Sequence, residues 1–347
     1  MPMARRISIK PDEFYSRQTV LKELGKKGQE TLAKARVAVV GLGGLGTVSS
    51  LYLALAGVGH LRLIDQDTVE THNLHRQVLY SPKFLRYPKV EVSAKRLKEA
   101  NPFIRIEAVP ENVNANNVER LLRGMDCVVD GLDNIRTRYL VNRACAKLRI
   151  PYVFGAAIGI EGNLSVFAPP ETPCLECVMP NVNDSSLMSC DVRGVIGATP
   201  GIIGTMQAME AVKLLTGIGT PLKGKLMICD FNEMYFATID IAKRIDCPVC
   251  QSKTVIPEAK KLVWLCGQNA ININPEKPTK LNLTNTYQTI KQNYKIRVKS
   301  SLAIVFNYKN LEMTLFNSGR MLIKNVNNEK TALKAYQEIA KKLGIGS

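Results

Sequence analysis

The sequence predicts an α/β fold in which a mixed, mostly parallel sheet continues into an antiparallel half, followed by a small C-terminal α+β domain. Short β-branched runs alternate with helix-length segments between residues 36 and 150, which is typical of a parallel sheet with crossover helices. Strand-like runs then follow one another, with one long helix between the last two. Beyond residue 250 the composition shifts to Lys, Asn and Thr, and a second α+β pattern begins.

The length allows this division, because 347 residues suffice for one large domain and a smaller one. We expect a helical lead-in at 1–35, a main domain at 36–250, a linker at 251–260 and a basic domain at 261–347. Hydrophobic residues make up 46% of the chain and aromatic residues only 6%, so Val, Ile, Leu and Ala must fill most of the core.

The first half of the main domain contains four short apolar runs that predict strands. They lie at Arg36–Val40, Leu61–Asp65, Ile104–Val109 and Cys127–Asp130. Helical patterns lie between them, for example at Val90–Ala100. This alternation predicts parallel strands joined by helices.

After Pro151 the pattern changes, and strands follow in YVFGAAIG, GNLSVFA and KGKLMICD, with a long helix at Gly201–Thr216. The tail has a smaller set of elements. We predict strands in VWLCG, AINI, SLAIVFNY, LEMTLFN and RMLIKNV, and helices in TNTYQTIKQN and EKTALKAYQEIAKKLG.

The run RVAVVGLGGLG at Arg36–Gly46 leads from a strand through a glycine-rich turn into a helical segment. This pattern predicts the opening of a Rossmann-like nucleotide-binding βαβ unit. Its glycines let the backbone approach a phosphate, and the N–H groups at the start of the helix favour negative charge. Asp65 ends the next strand, where an acidic side chain holds a ribose hydroxyl. An NAD-dependent oxidoreductase fits these features equally well.

The segment after Asp65 favours a different chemistry. Asn73, Arg76 and Gln77 form a polar cluster for which a dinucleotide enzyme has no evident need. Arg76 and the later Lys89 are cations of the kind that neutralise a triphosphate and a departing pyrophosphate.

The chain resembles the ThiF, MoeB and HesA family of adenylating enzymes, together with the adenylation domains of ubiquitin-activating enzymes. The resemblance runs from Phe14 to about Cys250, roughly two thirds of the chain. The motifs occur in family order: YSRQ at 15–18, GLGGLG at 41–46, DQDTVETHNLHRQ at 65–77, PKV at 88–90, DGLDNIRTR at 130–138, and two CxxC pairs.

The resemblance implies ATP-dependent adenylation of the C-terminal glycine of a ubiquitin-like, β-grasp sulfur-carrier protein that ends in Gly-Gly. The acyl adenylate would then be converted to a thiocarboxylate or a thioester. The product could serve molybdenum cofactor synthesis, thiamine synthesis, tRNA thiolation or protein conjugation. A non-catalytic scaffold subunit of a heterodimeric activating enzyme is the other alternative, but such subunits typically lack part of the phosphate-contact set that this chain retains.

The resemblance also assigns the nucleotide site. Its members are Gly41, Gly43, Gly44, Gly46, Asp65, Asp67, Asn73, Arg76, Gln77, Lys89, Asp133 and Asn134. Asp133 is the expected magnesium ligand, although its position alone fits a helix N-cap equally well. Asp67 is equally explained as a turn former, and Asp130 is expected to be structural.

The expected catalytic residues are Arg76, Lys89, Asp133, Arg17 and Cys190. In similar enzymes the arginine of YSRQ reaches the triphosphate of a partner subunit, so the resemblance implies a homodimer. Cys190 lies in a polar segment before a helix, where a thiolate is favoured, and matches a cysteine that binds the activated carrier covalently in some relatives.

Two CxxC pairs, Cys174–Cys177 and Cys247–Cys250, predict a structural zinc site, since four thiolates suit tetrahedral zinc with no open position. Two redox dithiols are the weaker alternative. The only cysteine of the tail is Cys266, in a strand-like segment, which argues against a rhodanese domain. Any sulfur would therefore come from a separate donor protein.

The chain carries a net charge of +17, and sixteen basic against five acidic residues follow Cys250. Attraction to an acidic protein or a nucleic acid explains this, and so does a solvated Lys-rich surface. We see no aromatic-interleaved RNA-binding motif, so nucleic acid is not the expected partner. The N-terminal segment has no apolar signal region and no apolar run is long enough to span a membrane, which predicts a cytoplasmic protein.

Overall fold

The computed structural model describes residues 9–184, 193–251, 262–265, 269–275 and 279–344. The helices described are α1 (Pro11–Phe14), α2 (Ser16–Thr19), α3 (Gly25–Lys34), α4 (Gly44–Ala56), α5 (Lys89–Ala100), α6 (Val118–Leu122), α7 (Ile135–Leu148), α8 (Leu175–Val178), α9 (Ala198–Thr216), α10 (Leu283–Lys291) and α11 (Glu329–Leu343). The strands described are β1 (Arg36–Val40), β2 (His60–Ile64), β3 (Arg105–Val109), β4 (Cys127–Asp130), β5 (Tyr152–Ile158), β6 (Glu161–Phe167), β7 (Lys225–Asp230), β8 (Tyr235–Asp240), β9 (Leu262–Leu265), β10 (Ala270–Ile273), β11 (Lys295–Lys299), β12 (Ala303–Tyr308), β13 (Leu311–Phe316) and β14 (Met321–Lys324).

The larger sheet has eight strands in the order β3-β2-β1-β4-β5-β6-β7-β8. Strands β1 to β5 pair in parallel, whereas β5 to β8 pair antiparallel. The switch occurs at the tight β5–β6 hairpin, where Gly159 takes a positive φ of 58°. The predicted mixed sheet with an antiparallel half is confirmed.

Both faces of the parallel half are buried. Val37 and Val39 of β1 face a core formed with α3, α4, α5 and α9, while Ala38 and Val40 face a core formed with α6 and α7. Successive side chains of a strand point to opposite faces, so an unbroken apolar run is what a sheet between two helix layers requires.

A second sheet of six antiparallel strands follows in the order β11-β12-β13-β14-β10-β9. One face packs against α10 and α11 through an apolar core that includes Phe306, Met313, Ile323 and Tyr336. This arrangement agrees with the α+β pattern of the tail. The expected linker at 251–260 lies almost wholly outside the described residues.

The elements differ from the sequence-based prediction in three ways. Strands β8 and β11 are additional, and the lead-in is broken into three short helices. Helix α9 begins three residues earlier than predicted, at Ala198, because Pro200 falls in its first turn, where proline is tolerated. Among the described helices, none combines the length and the apolar character needed to cross a bilayer.

Candidate active site

The glycine-rich turn between β1 and α4 is closed by contacts that leave no room for side chains. A Cβ on Gly46 would lie 1.8 Å from the carbonyl oxygen of Gly41, and a Cβ on Gly131 would lie 2.1 Å from the same atom. Gly41 itself has a φ of 90°. These three glycines are therefore required by the backbone, Gly41 for the turn and Gly46 for close packing of helix and strand.

Gly43 differs from its neighbours because a Cβ there would clash with no other atom and would make only ordinary van der Waals contacts. A Cβ there would find its nearest atom, the carbonyl oxygen of Gly131, at 3.7 Å. Gly43 is also the N-cap of α4 and gives the helix no side-chain cap. The first N–H groups of α4 thus border a half-buried cradle formed by the glycine turn, and uncapped N–H groups at a helix N-terminus bind phosphate.

Asp65 connects this turn to the end of β2. The N–H of Leu42 donates to its Oδ2 at 2.6 Å, and the N–H of Asp67 donates to its Oδ1 at 2.7 Å. Burial raises the pKa of Asp65, while nearby Lys89 opposes the rise. Each carboxylate oxygen retains a lone pair. The side chain therefore holds the turn and can still accept a hydrogen bond from a ribose hydroxyl.

Lys89 and Asp67 form an ion pair at the start of α5, with Nζ 3.2 Å from Oδ2. Their side chains are 7% and 22% exposed. Burial acts to lower the pKa of Lys89, but the carboxylates of Asp67, Asp65 and Asp133 outweigh it and raise the pKa. Asp67 therefore holds a charged ammonium group in place, which a turn former alone would not do.

Arg76 lies between the starts of α4 and α9. A guanidinium nitrogen donates to the carbonyl oxygen of His72 at 2.7 Å. Its Cγ is 3.7 Å from the position of a Cβ on Gly44, and a Cβ on Gly197 would meet the carbonyl oxygen of His75 at 2.7 Å. The structure thus brings Arg76 to the rim of the glycine turn.

Gln77 and Asn73 are both buried beside this rim. The amide nitrogen of Gln77 lies 4.0 Å from the position of a Cβ on Gly43. Its Oε1 and the Oδ1 of Asp67 are buried without a hydrogen-bond partner among the described residues. Asn73 accepts a hydrogen bond from the N–H of Glu70 at 3.1 Å, which closes a short 3-10 turn at Thr71–Asn73.

Asp133 follows the carboxyl end of β4 and is exposed. The N-cap of α7 is Asn134, whose Oδ1 accepts from the N–H of Thr137 at 2.9 Å. Asn134, and not Asp133, is therefore the residue that caps α7. The charge of Asp133 also contributes to the raised pKa of Lys89.

A buried ion pair supports the loop that carries Asp133. Asp130 is fully buried, 3.0 Å from the Nε of Arg138, and accepts from the hydroxyl of Tyr152 at 2.8 Å. Arg138 also donates to the carbonyl oxygen of Leu132. Asp130 is structural, as expected. Gln207 donates to the carbonyl oxygen of Asp130 at 2.7 Å and so supports the same loop. No motif in the sequence indicates this role.

Three features together suit a nucleotide triphosphate with its metal ion: the unpaired buried oxygens of Asp67 and Gln77, the uncapped N-terminus of α4 at Gly43, and the flanking cations. The donor set contains both carboxylates and cations, which magnesium and phosphate oxygens require, respectively.

Two expected catalytic residues are not part of this cluster. Arg17 is exposed on α2, whose neighbour Tyr15 contacts Gly57 at the far end of α4. A helix of thirteen residues is about 20 Å long, so Arg17 does not reach the glycine turn of its own chain. Cys190 lies outside the described residues, although Asp184, before that segment, accepts from the N–H of Ile135.

The four paired cysteines converge as predicted. Cys174 Sγ lies 3.9 Å from Cys177 Sγ and 3.6 Å from Cys247 Sγ, and Cys177 Sγ lies 3.5 Å from Cys250 Sγ. All four sulfurs lie within 4.8 Å of one another. Zinc–sulfur bonds of about 2.3 Å in a tetrahedron place the sulfurs about 3.8 Å apart, so this cluster fits zinc.

Residues 15–249 match the model of the ThiF family. The chain belongs to the ThiF family. The matched range agrees with the resemblance drawn from the motifs, which is thereby confirmed, and it leaves the six-stranded sheet outside.

Proteins similar to this ThiF-family chain include two kinds of adenylyltransferase. The sulfur carrier protein adenylyltransferase of Thermus thermophilus is 41% identical over 259 residues, which cover 73% of this chain and 96% of that protein. The adenylyltransferase and sulfurtransferase MOCS3-1 of Drosophila pseudoobscura pseudoobscura is 41% identical over 74% of this chain. The match spans only 57% of that relative's length.

Solved structures of E. coli MccB share the fold of the ThiF-family chain. MccB with MccA-N7isoASN has a TM-score of 0.62 at 24% identity, over 69% of this chain and 76% of that one. MccB with ATP has a TM-score of 0.58 at 24% identity, over 65% and 69%. At this identity the likeness establishes the α/β fold and nothing further.

Proposed function

We propose that this chain is an adenylyltransferase that uses ATP to activate the C-terminal glycine of a ubiquitin-like sulfur-carrier protein. The observation that carries the proposal is a polar cluster linked to the glycine turn of a ThiF-family chain. Asp65 binds the turn, the adjacent Asp67 pairs with Lys89, and Arg76 lies beside Gly44. The Thermus thermophilus relative is named a sulfur carrier protein adenylyltransferase, which supports the same substrate class.

In this proposal the phosphates of ATP lie against the first N–H groups of α4, and Asp65 accepts a ribose hydroxyl. The carboxylate of the carrier attacks the α-phosphate, the bond to pyrophosphate breaks, and an acyl adenylate forms. Lys89, held by Asp67, and Arg76 neutralise the charge that develops on the departing pyrophosphate. Asp133 would hold magnesium, which would supply further charge neutralisation on the phosphates.

The acyl adenylate then passes to sulfur. Either a thiol from a donor protein or the thiolate of Cys190 attacks the acyl carbon, the acyl–phosphate bond breaks, and AMP leaves. A thioester at Cys190 would match the covalent role expected from its sequence context. The identity of the carrier determines which pathway the enzyme serves: molybdenum cofactor synthesis, thiamine synthesis, tRNA thiolation or protein conjugation.

Two further roles belong to the proposal. Arg17 acts on the ATP of a second subunit, because it lies at the far end of α4 from its own glycine turn. This role requires a homodimer. The cysteine cluster holds a structural zinc ion, which joins α8 to the segment around Cys247.

The alternatives explain fewer of these residues. An NAD-dependent oxidoreductase uses the glycine turn and Asp65 but gives no task to Lys89 and Arg76. A scaffold subunit has no need to retain Lys89 in a buried ion pair with Asp67. Both remain weaker proposals for this reason.

The test is carrier-dependent exchange of radioactive pyrophosphate into ATP, with each β-grasp protein of the source genome that ends in Gly-Gly. We expect exchange with at least one carrier, and its loss when the carrier's last glycine is deleted. Asp133→Asn should abolish exchange, whereas Asp240→Asn, which changes an 88% exposed side chain on β8, should not. Tight retention of NAD without ATP binding would overturn the proposal.

A further inference from the structure

The second face of the six-stranded sheet packs on the nucleotide-binding half of the larger domain. Its polar side chains contact the segment after Asp65 and the start of α5. The pairs are Lys324 with Thr68 (2.9 Å) and with Glu70, Glu312 with Arg86 (2.6 Å), Ser301 with Glu91 (2.8 Å), and Asn274 with Asn112 (3.3 Å). The C-terminal sheet therefore covers the loops that carry the candidate site.

Arg320 is a further contact between the two parts of the chain, and it is buried, with 2% of its surface exposed. One guanidinium nitrogen donates to the carbonyl oxygens of Gln66 at 2.8 Å and Pro110 at 3.1 Å. A second nitrogen donates to Asn272 Oδ1 at 2.8 Å, and the guanidinium lies 3.6 Å from the ring centre of Phe316. Arg320 thus joins the segments that follow β2 and β3.

Gln66 stands between two residues that shape the nucleotide site. Asp65 holds the glycine turn through the N–H of Leu42, and Asp67 holds Lys89. Burial lowers the pKa of Arg320 to about 10, and the charges of Asp67 and Asp65 oppose the fall. The same guanidinium therefore fixes the backbone between the two acids and interacts with both of their charges.

We propose that Arg320 is a positioning residue for nucleotide binding, and that the C-terminal sheet is a functional part of the adenylation site. This inference rests on the proposed function. It concerns a segment that begins after the family match ends at residue 249. When Arg320 is removed, the segment 65–70 loses its fixed position, and Asp65 and Lys89 no longer meet the nucleotide together.

The experiment uses the full chain with Arg320→Met and, as matched control, Arg297→Met, which changes an exposed arginine of β11 in the same sheet. The dissociation constant of ATP is measured by calorimetry without carrier, and the KM values of ATP and carrier by pyrophosphate exchange. Hydrogen exchange of residues 65–70 is measured by mass spectrometry. Thermal unfolding shows the temperature at which each variant is fully folded.

For folded Arg320→Met we expect at least a tenfold rise in the dissociation constant and KM of ATP, an unchanged carrier KM, and faster hydrogen exchange at 65–70. Arg297→Met should match the wild type. A lower unfolding temperature with unchanged ATP affinity and unchanged exchange at 65–70 would reduce the contact to stability and overturn the inference.

Two further variants decide the question should Arg320→Met fail to fold. Lys324→Met and Thr68→Val each remove the contact between Lys324 and Thr68 from one side, and weaker ATP binding in both supports the inference. Unchanged ATP binding in both overturns it. Wild-type protein that binds no ATP overturns the proposed function and with it the role of Arg320 in nucleotide binding, whereas ATP binding that is normal in the wild type and unchanged in the variants overturns only the role of Arg320.

Discussion

At the scale of single residues, we expect Lys89 to contribute both to the stability of the fold, through its ion pair with Asp67, and to catalysis. Replacing it with Met leaves the Asp67 carboxylate partly buried without its partner, so we expect unfolding to become easier by about 3–5 kcal/mol. Pyrophosphate exchange should fall at least about 100-fold. Lys95→Met, an exposed change on the same helix, is the control.

A second variant separates the two purposes of Lys89. The pair Lys89→Met with Asp67→Asn should recover most of the lost stability in a urea titration, because no unpaired charge remains, and should stay inactive. Exchange restored together with stability would mean that Lys89 has only a structural task.

The glycine turn gives a sharper contrast between Gly43 and Gly46, two positions three residues apart. Gly46→Ala should destabilise the chain by more than about 3 kcal/mol, because the new methyl group would lie 1.8 Å from a carbonyl oxygen. Gly43→Ala should fold almost normally, because its methyl group makes only ordinary van der Waals contacts. We expect it to weaken ATP binding about tenfold, because the methyl group keeps a phosphate away from the backbone at the N-cap of α4. Calorimetry and urea unfolding of the two variants check this, and normal ATP affinity in Gly43→Ala would remove the cradle assignment.

The sequence was sufficient to name these residues because each stands in a local motif. It was not sufficient for residues that act across long separations. Gln207 bonds a carbonyl 77 residues away, and Arg320 reaches Gln66 over 254 residues. Such contacts arise only after the sheets assemble, so no local pattern predicts them. Asn134 is an intermediate case, since its capping bond is local but Asp133 beside it fits the same rule.

At the scale of elements, the buried strands were predictable and the exposed ones less so. Strands β1 and β4 begin and end at the predicted residues, because a strand buried on both faces requires an unbroken apolar run. Strand β8 is exposed along nearly its whole length, so burial gives it no pattern. Strand β11 does alternate, with Ile296 and Val298 between basic residues, and that period of two could have revealed it.

The cysteine cluster is an element-scale device, because it joins α8 to a segment about 70 residues later. We expect about one zinc ion per chain by elemental analysis, lost in Cys247→Ser, with a clear drop in the temperature of unfolding. Cys229→Ser is the matched control, since Cys229 is buried on β7 outside the cluster. Wild-type protein without zinc would refute the four-thiolate site.

At the scale of the whole molecule, the position of Arg17 makes a prediction about subunits. Arg17→Ala and Asp133→Ala should each be inactive alone, because each damages one half of every composite site. Mixing the two after reversible dissociation should restore about a quarter of the wild-type sites, since half of the dimers are mixed and each has one intact site.

This mixing experiment has a clear negative result. If Arg17 acts only on its own chain, or if the chain is a monomer by light scattering, the mixture stays inactive. Lys22→Ala, an exposed neighbour in sequence, should keep full activity. The sequence offers the arginine, but only the length of α4 shows that it lies too far from its own turn.

The outer edge of the eight-stranded sheet has a consequence for handling the protein. Strand β8 ends the sheet and exposes Tyr235 and Phe236, so its unpaired backbone groups offer a template to another chain. The net charge of +17 keeps chains apart in dilute buffer, and salt at about 0.1 M shortens that repulsion to about 10 Å. Concentrated salt should therefore promote clouding and precipitation, whereas low ionic strength should keep the protein dispersed.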